Sequence, residues 1–573
     1  MKTNKFLIGF LLQAVVCSGG LHAQTDLHAN AYSIIQDAVT DIVCTSPTDA
    51  IQKEKRVIQI LDGKGKGDAS FVCMCDRFSS LKKFSGEVRD ASGNVIRKIK
   101  KSELKVTEYS DELVSDDYYY FFEYTPSRYP ITITYEWEIK NSDGLIGYPS
   151  FLPQKNYNQS VAQASYRILT PADNPCRYRT INMQAEVSQQ QTADGNWLTE
   201  VKVQSLPAIQ KEPYSPALSE LLPRIYFTPR NFSFEGTKGS MDNWQTYGAW
   251  QYQLLNGRDQ IPPALKEELQ RRTANCNTPY EKIAAVYQYL ASTTRYVSIQ
   301  LGIGGLQPIA ATDVHRTGFG DCKGLSNYMR AMLTELGIPS TYTVISTTNR
   351  RLLADFASAN QNNHVILQVP LPNDTLWIEC TNPTLPLGYV HHSIAGHDAL
   401  LIGPDGGTLY RLPTYADSLS TQVNDALISL QPDGSAKIEV KQSSRLFQYE
   451  DKADIINIEP ARQKDWLRSD ISLVQAKVDN IRFKETKQKE PQLDINYTIE
   501  SSHRTFIIAC QIGVSNASVM VVLQHNRYVQ FFLQINRIIV PLPDDSIRFP
   551  FFGPFQNTLF SIHGTVIRRE AIK

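Results

Sequence analysis

The sequence predicts a multidomain α+β protein: an N-terminal β-sandwich-like region, a central α+β core and a C-terminal β-rich domain. Three observations predict it. The chain has 573 residues, enough for several domains. Aromatic residues make up 10% of it and tyrosine is abundant, which suits pleated surfaces. Strand-like alternation fills both ends of the chain, whereas helical periodicity gathers in the middle. The formal net charge is zero, so no global field favours nucleic acid, and none is expected as a partner.

The first residues have the pattern of an export signal. Lys2 and Lys5 form a short basic region, Phe6 to Val16 is apolar, and Leu21-His22-Ala23 ends in a small residue before Gln24. Residues 1–23 are therefore expected to be removed. The apolar run is too short to span a bilayer as an anchor. Cys17 is preceded by Val16 rather than a small residue, which argues against lipid attachment. No later segment is apolar for long enough to cross a membrane, so no transmembrane segment is expected after cleavage. The expected location is the periplasm or cell envelope. Export exposes thiols to oxidation. Eight cysteines remain after Cys17 is lost, scattered rather than clustered as in a small disulfide scaffold. Cys73 and Cys75 are one residue apart, not the two to four usual for a zinc knuckle.

Residues 24–239 form the expected N-terminal β-rich domain. In "ITITYEWEIK", Ile131, Ile133, Tyr135, Trp137 and Ile139 fall on one face, and "YYYFFEY" from Tyr118 is a second strand. Asp90-Ala91-Ser92-Gly93-Asn94 and Ala193-Asp194-Gly195-Asn196 are turn signals. No titratable cluster stands out there, and a binding or scaffolding role is expected. Residues 240–405 form the core. "PPALKEELQRRT" and "PYEKIAAVYQYLASTT" are helical, and in the second Thr278 can cap and Pro279 suits the first position. Ile283, Val286, Tyr287 and Leu290 then share a face. Trp244 and Trp250 are expected to pack where the N-terminal region meets the core, with substrate stacking as the alternative. Residues 406–573 return to β, with a hairpin signal at Pro432-Asp433-Gly434 and an aromatic tail containing "FPFFGPF".

The chemistry centres on "RTGFGDCKGLSNYMRAMLTELGIPS" from Arg316. Leu325, Tyr328, Met329, Met332, Leu333 and Leu336 make one apolar stripe, Gly337 suits a left-handed cap, and Pro339 prevents continuation. Asp321 can act as N-cap, which puts Cys322 in the first turn, where aligned peptide dipoles favour a thiolate. Gly318 and Gly320 permit a sharp bend before it. Lys323, next in sequence, reads as a solvated side chain, with stabilisation of the thiolate as the alternative. A cysteine at a helix start is often structural, so the partners decide. A nucleophilic thiol needs a base, and the base needs an orienting group.

Downstream, "NNHVILQVPLPNDTLWIECT" supplies both. His364 opens one strand and Glu379 ends the next. Pairing Val369 with Asp374 around the loop Pro370 to Asn373 sets His364 directly opposite Glu379, with Cβ atoms about 5 Å apart. A carboxylate there can accept a proton from one imidazole nitrogen and aim the other at the thiol. Asp374 lies at the turn, too far away. Asn382 is the alternative orienter, since an amide oxygen also accepts from imidazole. His391, His392 and His397 form a cluster without the carboxylate or thiol spacing that a metal site needs, so no metal is assigned to it.

The order of cysteine at a helix start, histidine on a following strand and acid on the next resembles the transglutaminase-like superfamily, which has a papain-like fold. The block "RYVSIQLGIGGLQP…GFGDCKGLSNYMRAMLTELGIPS…NHVILQVP…DTLWIECTNP" looks like its exported branch. In that branch a β-rich domain of unknown function, the 3857 family of such domains, precedes the core. The likeness is strongest from Arg295 to Pro383. It implies that Cys322 is the nucleophile and His364 the base, and that Glu379 stands where aspartate is usual. On that implication, Glu379→Asp should be tolerated. Gln307, upstream in "GGLQP", resembles the glutamine that precedes the cysteine in papain-like enzymes. It is the candidate oxyanion donor beside the backbone N–H of Cys322.

The expected function is an exported cysteine-dependent amide hydrolase or acyl transferase acting on peptides or proteins through a thioester, with no cofactor. The alternative is a non-catalytic peptide- or glycan-binding envelope protein with a relic triad, favoured by the aspartate-to-glutamate departure and the two large β regions.

Overall fold

The structure is a computed structural model. It describes residues 26–108, 114–183, 185–213, 215–430, 435–471, 473 and 475–501, with short backbone strands between 506 and 571. The export-signal pattern and the turn at Pro432-Asp433-Gly434 lie outside the described residues, as does most of "FPFFGPF". The architecture is mixed α+β, with strand-rich regions at both ends of the chain and a helix-containing centre.

The chain divides into two compact units. The first takes residues up to Thr107, Tyr118–Ser142 and Tyr148–Phe227. Its main sheet contains β1 (Ser33–Cys44), β2 (Ala50–Ile60), β3 (Ser79–Arg89), β4 (Val95–Lys100), β5 (Ile131–Asn141), β6 (Gln159–Thr170), β7 (Val187–Gln191) and β8 (Trp197–Leu206), in the order β7-β8-β6-β1-β2-β5-β3-β4. β1 runs parallel to β6 and antiparallel to β2. The alternation in β5 is realised as predicted: Ile131, Ile133, Tyr135, Trp137 and Ile139 are all buried. A small sheet formed by Phe71–Cys75, Tyr118–Phe122 and Lys105–Glu108 covers part of this face. Its Phe71 ring lies 4.5 Å from Phe84 and 5.3 Å from Trp137.

The second unit takes Glu108–Asp117, Asp143–Gly147 and the chain from Thr228 onward. The helices that precede its central sheet are α1 (Trp244–Leu254), α2 (Pro263–Thr273), α3 (Pro279–Thr293), α4 (Ala311–Thr317) and α5 (Cys322–Glu335). Its central sheet holds β9 (Thr341–Ile345), β10 (His364–Leu371), β11 (Asp374–Ile378), β12 (Asp398–Gly403) and β13 (Gly406–Arg411), in the order β11-β10-β9-β12-β13 with every neighbour antiparallel.

Sequence-local rules account for these helices. In α3, Thr278 accepts from the Glu281 N–H while the Glu281 carboxylate accepts from the Thr278 N–H, a reciprocal capping box. α5 ends in a Schellman motif: Gly337 adopts φ +70°, its N–H reaches the Thr334 carbonyl, and the Ile338 N–H reaches the Leu333 carbonyl. Leu325, Met329 and Met332 of α5 share a core with Leu269 of α2, Ile283 and Leu290 of α3, and Leu367 and Ile378 of the sheet. α1 lies against β13, where Gly248 and Gly407 meet so closely that a Cβ on either would collide with backbone. Trp250 and Trp244 are buried and donate to Thr237 Oγ1 and the Leu353 carbonyl.

Both expected limits of the core therefore move. β13 completes the central sheet, so a boundary at 405 cuts a hairpin at its turn. The hairpin Asn231–Phe234/Thr237–Ser240 belongs with α1 rather than with the N-terminal sheet, because Trp250 is bonded to it. Beyond β13, β14 (Gln422–Leu430), β15 (Ala436–Arg445), β16 (Lys477–Thr486) and β17 (Gln492–Ser501) form a further antiparallel sheet in the order β16-β17-β15-β14. Tyr449, Ile455, Leu467 and Leu493 form its local core.

Candidate active site

Cys322 is the first residue of α5. Asp321 caps that helix, its Oδ1 accepting from the Gly324 N–H at 2.9 Å. Its other oxygen holds the Lys323 ammonium, which also reaches the Ile299 carbonyl at 3.3 Å. The side chains of Lys323 and Asp321 are only 5% and 1% exposed, so the expected solvated lysine is instead a buried ion pair at the start of the helix. Gly318 takes the left-handed conformation at φ +70° that ends α4, while Gly320 instead packs on Leu325.

Ser326, one turn after Cys322, donates to the Val365 carbonyl at 3.2 Å. That bond ties the first turn of α5 to the start of β10 and brings Cys322 beside His364. The thiol stands near enough to the imidazole to favour its protonated form. The His364 Nε2 lies 2.8 Å from Glu379 Oε2, so Nδ1 is the nitrogen left for the thiol.

The strand register differs from the one expected. Leu371 pairs with Asp374 and Leu367 with Ile378, so the loop is Pro372-Asn373 alone. Glu379 therefore lies diagonally across from His364, just beyond the end of β11, where Cβ atoms stand roughly 7 Å apart. The two side chains still share a face because the slip is by two residues. The extra methylene of glutamate covers the added distance.

Glu379 is clamped on all sides. Oε2 accepts from His364 and also from His391 Nε2 at 3.1 Å. Oε1 accepts from the Thr381 N–H at 2.8 Å and the Thr381 hydroxyl at 2.5 Å. The Tyr287 hydroxyl donates to the Glu379 carbonyl at 3.0 Å and fixes the backbone as the strand ends. Burial opposes ionisation of this carboxyl, but the hydrogen bonds from His364 and His391 hold it well below the usual carboxylate range. Burial likewise opposes charge on His364, yet the hydrogen bonds with Cys322 and Glu379 raise it to about 10.

The other expected residues are placed differently. Gln307 is engaged elsewhere: its Oε1 accepts from Arg258 at 2.8 Å and its Nε2 donates to the Leu254 carbonyl at 3.2 Å. It braces the end of α1, and the structure does not bring it into the triad. Asn382 accepts from the Thr384 hydroxyl, and its role as alternative orienter falls to Glu379. Asp374 sits at the turn and pairs with Lys489 at 2.6 Å. His391 is the residue that sequence reasoning missed. It belongs to the cluster noted only as a weak metal motif, and among the described residues no group of three or more His, Cys, Asp or Glu is set to hold a metal ion. His392 bonds Glu450 through its backbone N–H, and His397 bonds the Ser346 carbonyl.

A cavity of about 480 Å³ opens on the acid side of the triad, lined by His364, Glu379 and His391 and, across from them, Tyr449, Glu450 and Glu485. The Cys322 thiol is not part of its wall, and Cys322 is 7% exposed.

Residues 267–381 match the transglutaminase-like superfamily, and residues 50–210 match DUF3857, a domain of unknown function. No curated protein matches. A candidate protease from Parabacteroides distasonis shares the fold at a TM-score of 0.53, with 12% identity over 82% of this chain and 94% of that one. A candidate cysteine protease from Cytophaga hutchinsonii aligns at 10% identity over 65% of this chain and 94% of its own, with a TM-score of 0.19. The periplasmic domain of TgpA from Pseudomonas aeruginosa aligns at 14% identity over 54% and 94%, with a TM-score of 0.18. No described helix is long and apolar enough to cross a membrane.

Proposed function

We propose that this chain, which carries a transglutaminase-like core behind a DUF3857 domain, is an exported cysteine enzyme that breaks or transfers peptide or protein amide bonds through a thioester. One observation carries the reading: the His364 ring stands between Cys322 and a Glu379 carboxylate whose two oxygens each accept two hydrogen bonds. The raised His364 keeps its proton at neutral pH, which is the counter-charge a thiolate needs and the acid a leaving amine needs.

The chemistry follows from that arrangement. The Cys322 sulfur attacks the amide carbon, and the C=O pair moves onto oxygen, stabilised by the Cys322 backbone N–H at the helix start. Collapse breaks the C–N bond, and the amine leaves with the proton from His364. Water or a second amine then attacks the thioester and returns a proton to His364 as the C–S bond breaks. Glu379 holds the ring in place throughout and neither gains nor loses its charge. Water gives hydrolysis, and an amine gives transfer. The N-terminal pattern supports a periplasmic or envelope setting and so an envelope peptide or protein as substrate.

The test is alkylation by iodoacetamide across pH with peptide mapping. Cys322 should react fastest of all the thiols at neutral pH, and His364→Ala should remove the advantage. Equal reactivity of Cys322 and the other cysteines would sink the proposal and favour the binding-protein alternative.

A further inference from the structure

Glutamate at the acid position brings a physical problem. Compared with aspartate it has one more rotatable bond, and holding it in a single rotamer costs conformational entropy. It also sits past the end of β11, where no ladder partner restrains it. A loosely held carboxylate would orient His364 poorly. Something must fix it, and Thr381 fixes only Oε1.

The second imidazole meets that need. His391 is 8% exposed and its Nε2 lies 3.1 Å from Glu379 Oε2, the oxygen that also receives His364. Its other nitrogen, Nδ1, lies 3.0 Å from the Ser393 hydroxyl. The carboxylate can only accept, so the ring nitrogen facing it, Nε2, carries the hydrogen, while the Ser393 hydroxyl at Nδ1 holds the far side of the ring. The loop bearing His391 is itself anchored. The Val390 N–H donates to the Tyr415 hydroxyl at 3.1 Å, and Glu450 accepts from Tyr389 and the His392 N–H at 3.0 and 2.8 Å. The anchor is a carboxylate of the C-terminal region, so that region helps to set the geometry of the site.

We propose that His391 is a positioning residue for the acyl-transfer site, fixing the Glu379 carboxylate so that Glu379 can hold the His364 ring toward Cys322. The inference rests on the reading given under Proposed function. It predicts a division of labour on one oxygen: His364 exchanges protons with the substrate, while His391 donates a permanent hydrogen bond and stays away from the reacting atoms.

The experiment uses the full chain and the rate of Cys322 alkylation by iodoacetamide from pH 5 to 9, with thermal melting to verify folding. His391→Phe keeps a ring but removes the donor. The acid limb of the profile should move up by about one pH unit, lowering the rate at pH 6 about tenfold. His391→Gln, whose amide nitrogen can stand near the lost Nε2, should recover most of the rate. Ser393→Ala removes the bond that holds the far side of the His391 ring and should shift the limb the same way by less, and it keeps the test alive if His391→Phe fails to fold. Glu450, Asp451, Asp454, Glu485 and Lys487 also face this cavity and are unchanged in every variant. His364 and Cys322, on the other side of Glu379, are unchanged as well. A shift for the phenylalanine variant with recovery by glutamine supports the role. Profiles for His391→Phe, or failing that Ser393→Ala, that superimpose on the parent while His364→Ala still abolishes the advantage would overturn this inference and leave the acyl-transfer reading standing. A parent profile without any His364-dependent limb overturns both.

Discussion

Replacing Glu379 by aspartate withdraws the carboxylate by about one bond length, about 1.5 Å, from a pair that is now 2.8 Å apart. The family resemblance made this change look harmless. The diagonal register reverses that expectation: Glu379→Asp should cut Cys322 reactivity nearly as far as Glu379→Gln, as an alkylation assay would read. For Glu379→Gln the amide must present its NH₂ either to the two imidazole N–H groups or to Thr381, leaving at least one donor unmet at about 1–3 kcal/mol each. Its activity should fall about a hundredfold or more. The pH dependence has two limbs. His364 holds its proton up to about 10 against 6.5 when unfolded, so its contribution to stability is complete below about pH 6.5 and fades as pH rises toward 10. Glu379 is lowered from 4.5, so its contribution is complete above that value and fades only as pH falls through the lowered one. A melting series should show His364→Ala flattening the alkaline limb and weakening the acid limb too, since Glu379 loses the His364 bond; an unchanged alkaline slope counts against the ion-pair account. That Cys322 opens a helix and that His364 and Glu379 share a face were readable from sequence because helix capping and strand parity are local rules. His391 was not, because its link to Glu379 depends on a loop folding back, and no periodicity encodes that.

α5 shows what the sequence specifies at the level of an element. Its apolar stripe, N-cap and glycine stop were all legible, since each depends on residues within one turn. Gly337→Ala should cost about 1 kcal/mol, because φ +70° strains any residue with a Cβ, and denaturant melts would read the loss. What the sequence hid was burial. "GDCKG" carries no mark that its lysine points inward, because the carbonyl that receives it comes from Ile299 on a separate loop. Lys323→Met leaves Asp321 as an uncompensated buried charge and should destabilise by about 3 kcal/mol. It should also loosen the start of α5 and slow alkylation of Cys322, and a melt unchanged from the parent would count against the buried pair. The β10–β11 register was misread for a related reason. "VPLPND" fits loops of either two or four residues, and parity is the same for both, so the correct face emerged from the wrong pairing.

Across the whole molecule, the second unit is discontinuous in sequence. Val114–Asp117 lie in sequence between strands of the first unit but belong to the second, where Val114 and Ser115 pair with Ile299 and Gln300. Asp116 accepts from the Gly302 N–H at 3.2 Å, and Glu235 accepts from the Ile303 N–H at the same distance. The loop they hold is the one whose Ile299 carbonyl receives Lys323, next to Cys322. Composition could not reveal such an excursion: it is short, polar and set between strands, and sequence reading assigns boundaries by stretches. The three regions themselves were legible because alternation and helical period differ over tens of residues, but the cuts at 239 and 405 were not. A fragment spanning 240–405 lacks β13 and the hairpin bonded to Trp250, so it should fail to fold, as circular dichroism would reveal. A fragment beginning at 228 keeps both but lacks residues 108–117. It should fold and melt below the full chain, with Cys322 alkylation slowed because the 299–303 loop has lost one of its two carboxylate anchors. In the full chain, Asp116→Ala should reproduce the slower alkylation without the fragment's other losses. If that variant and the fragment both alkylate at the full-chain rate, the excursion plays no part in holding the thiol.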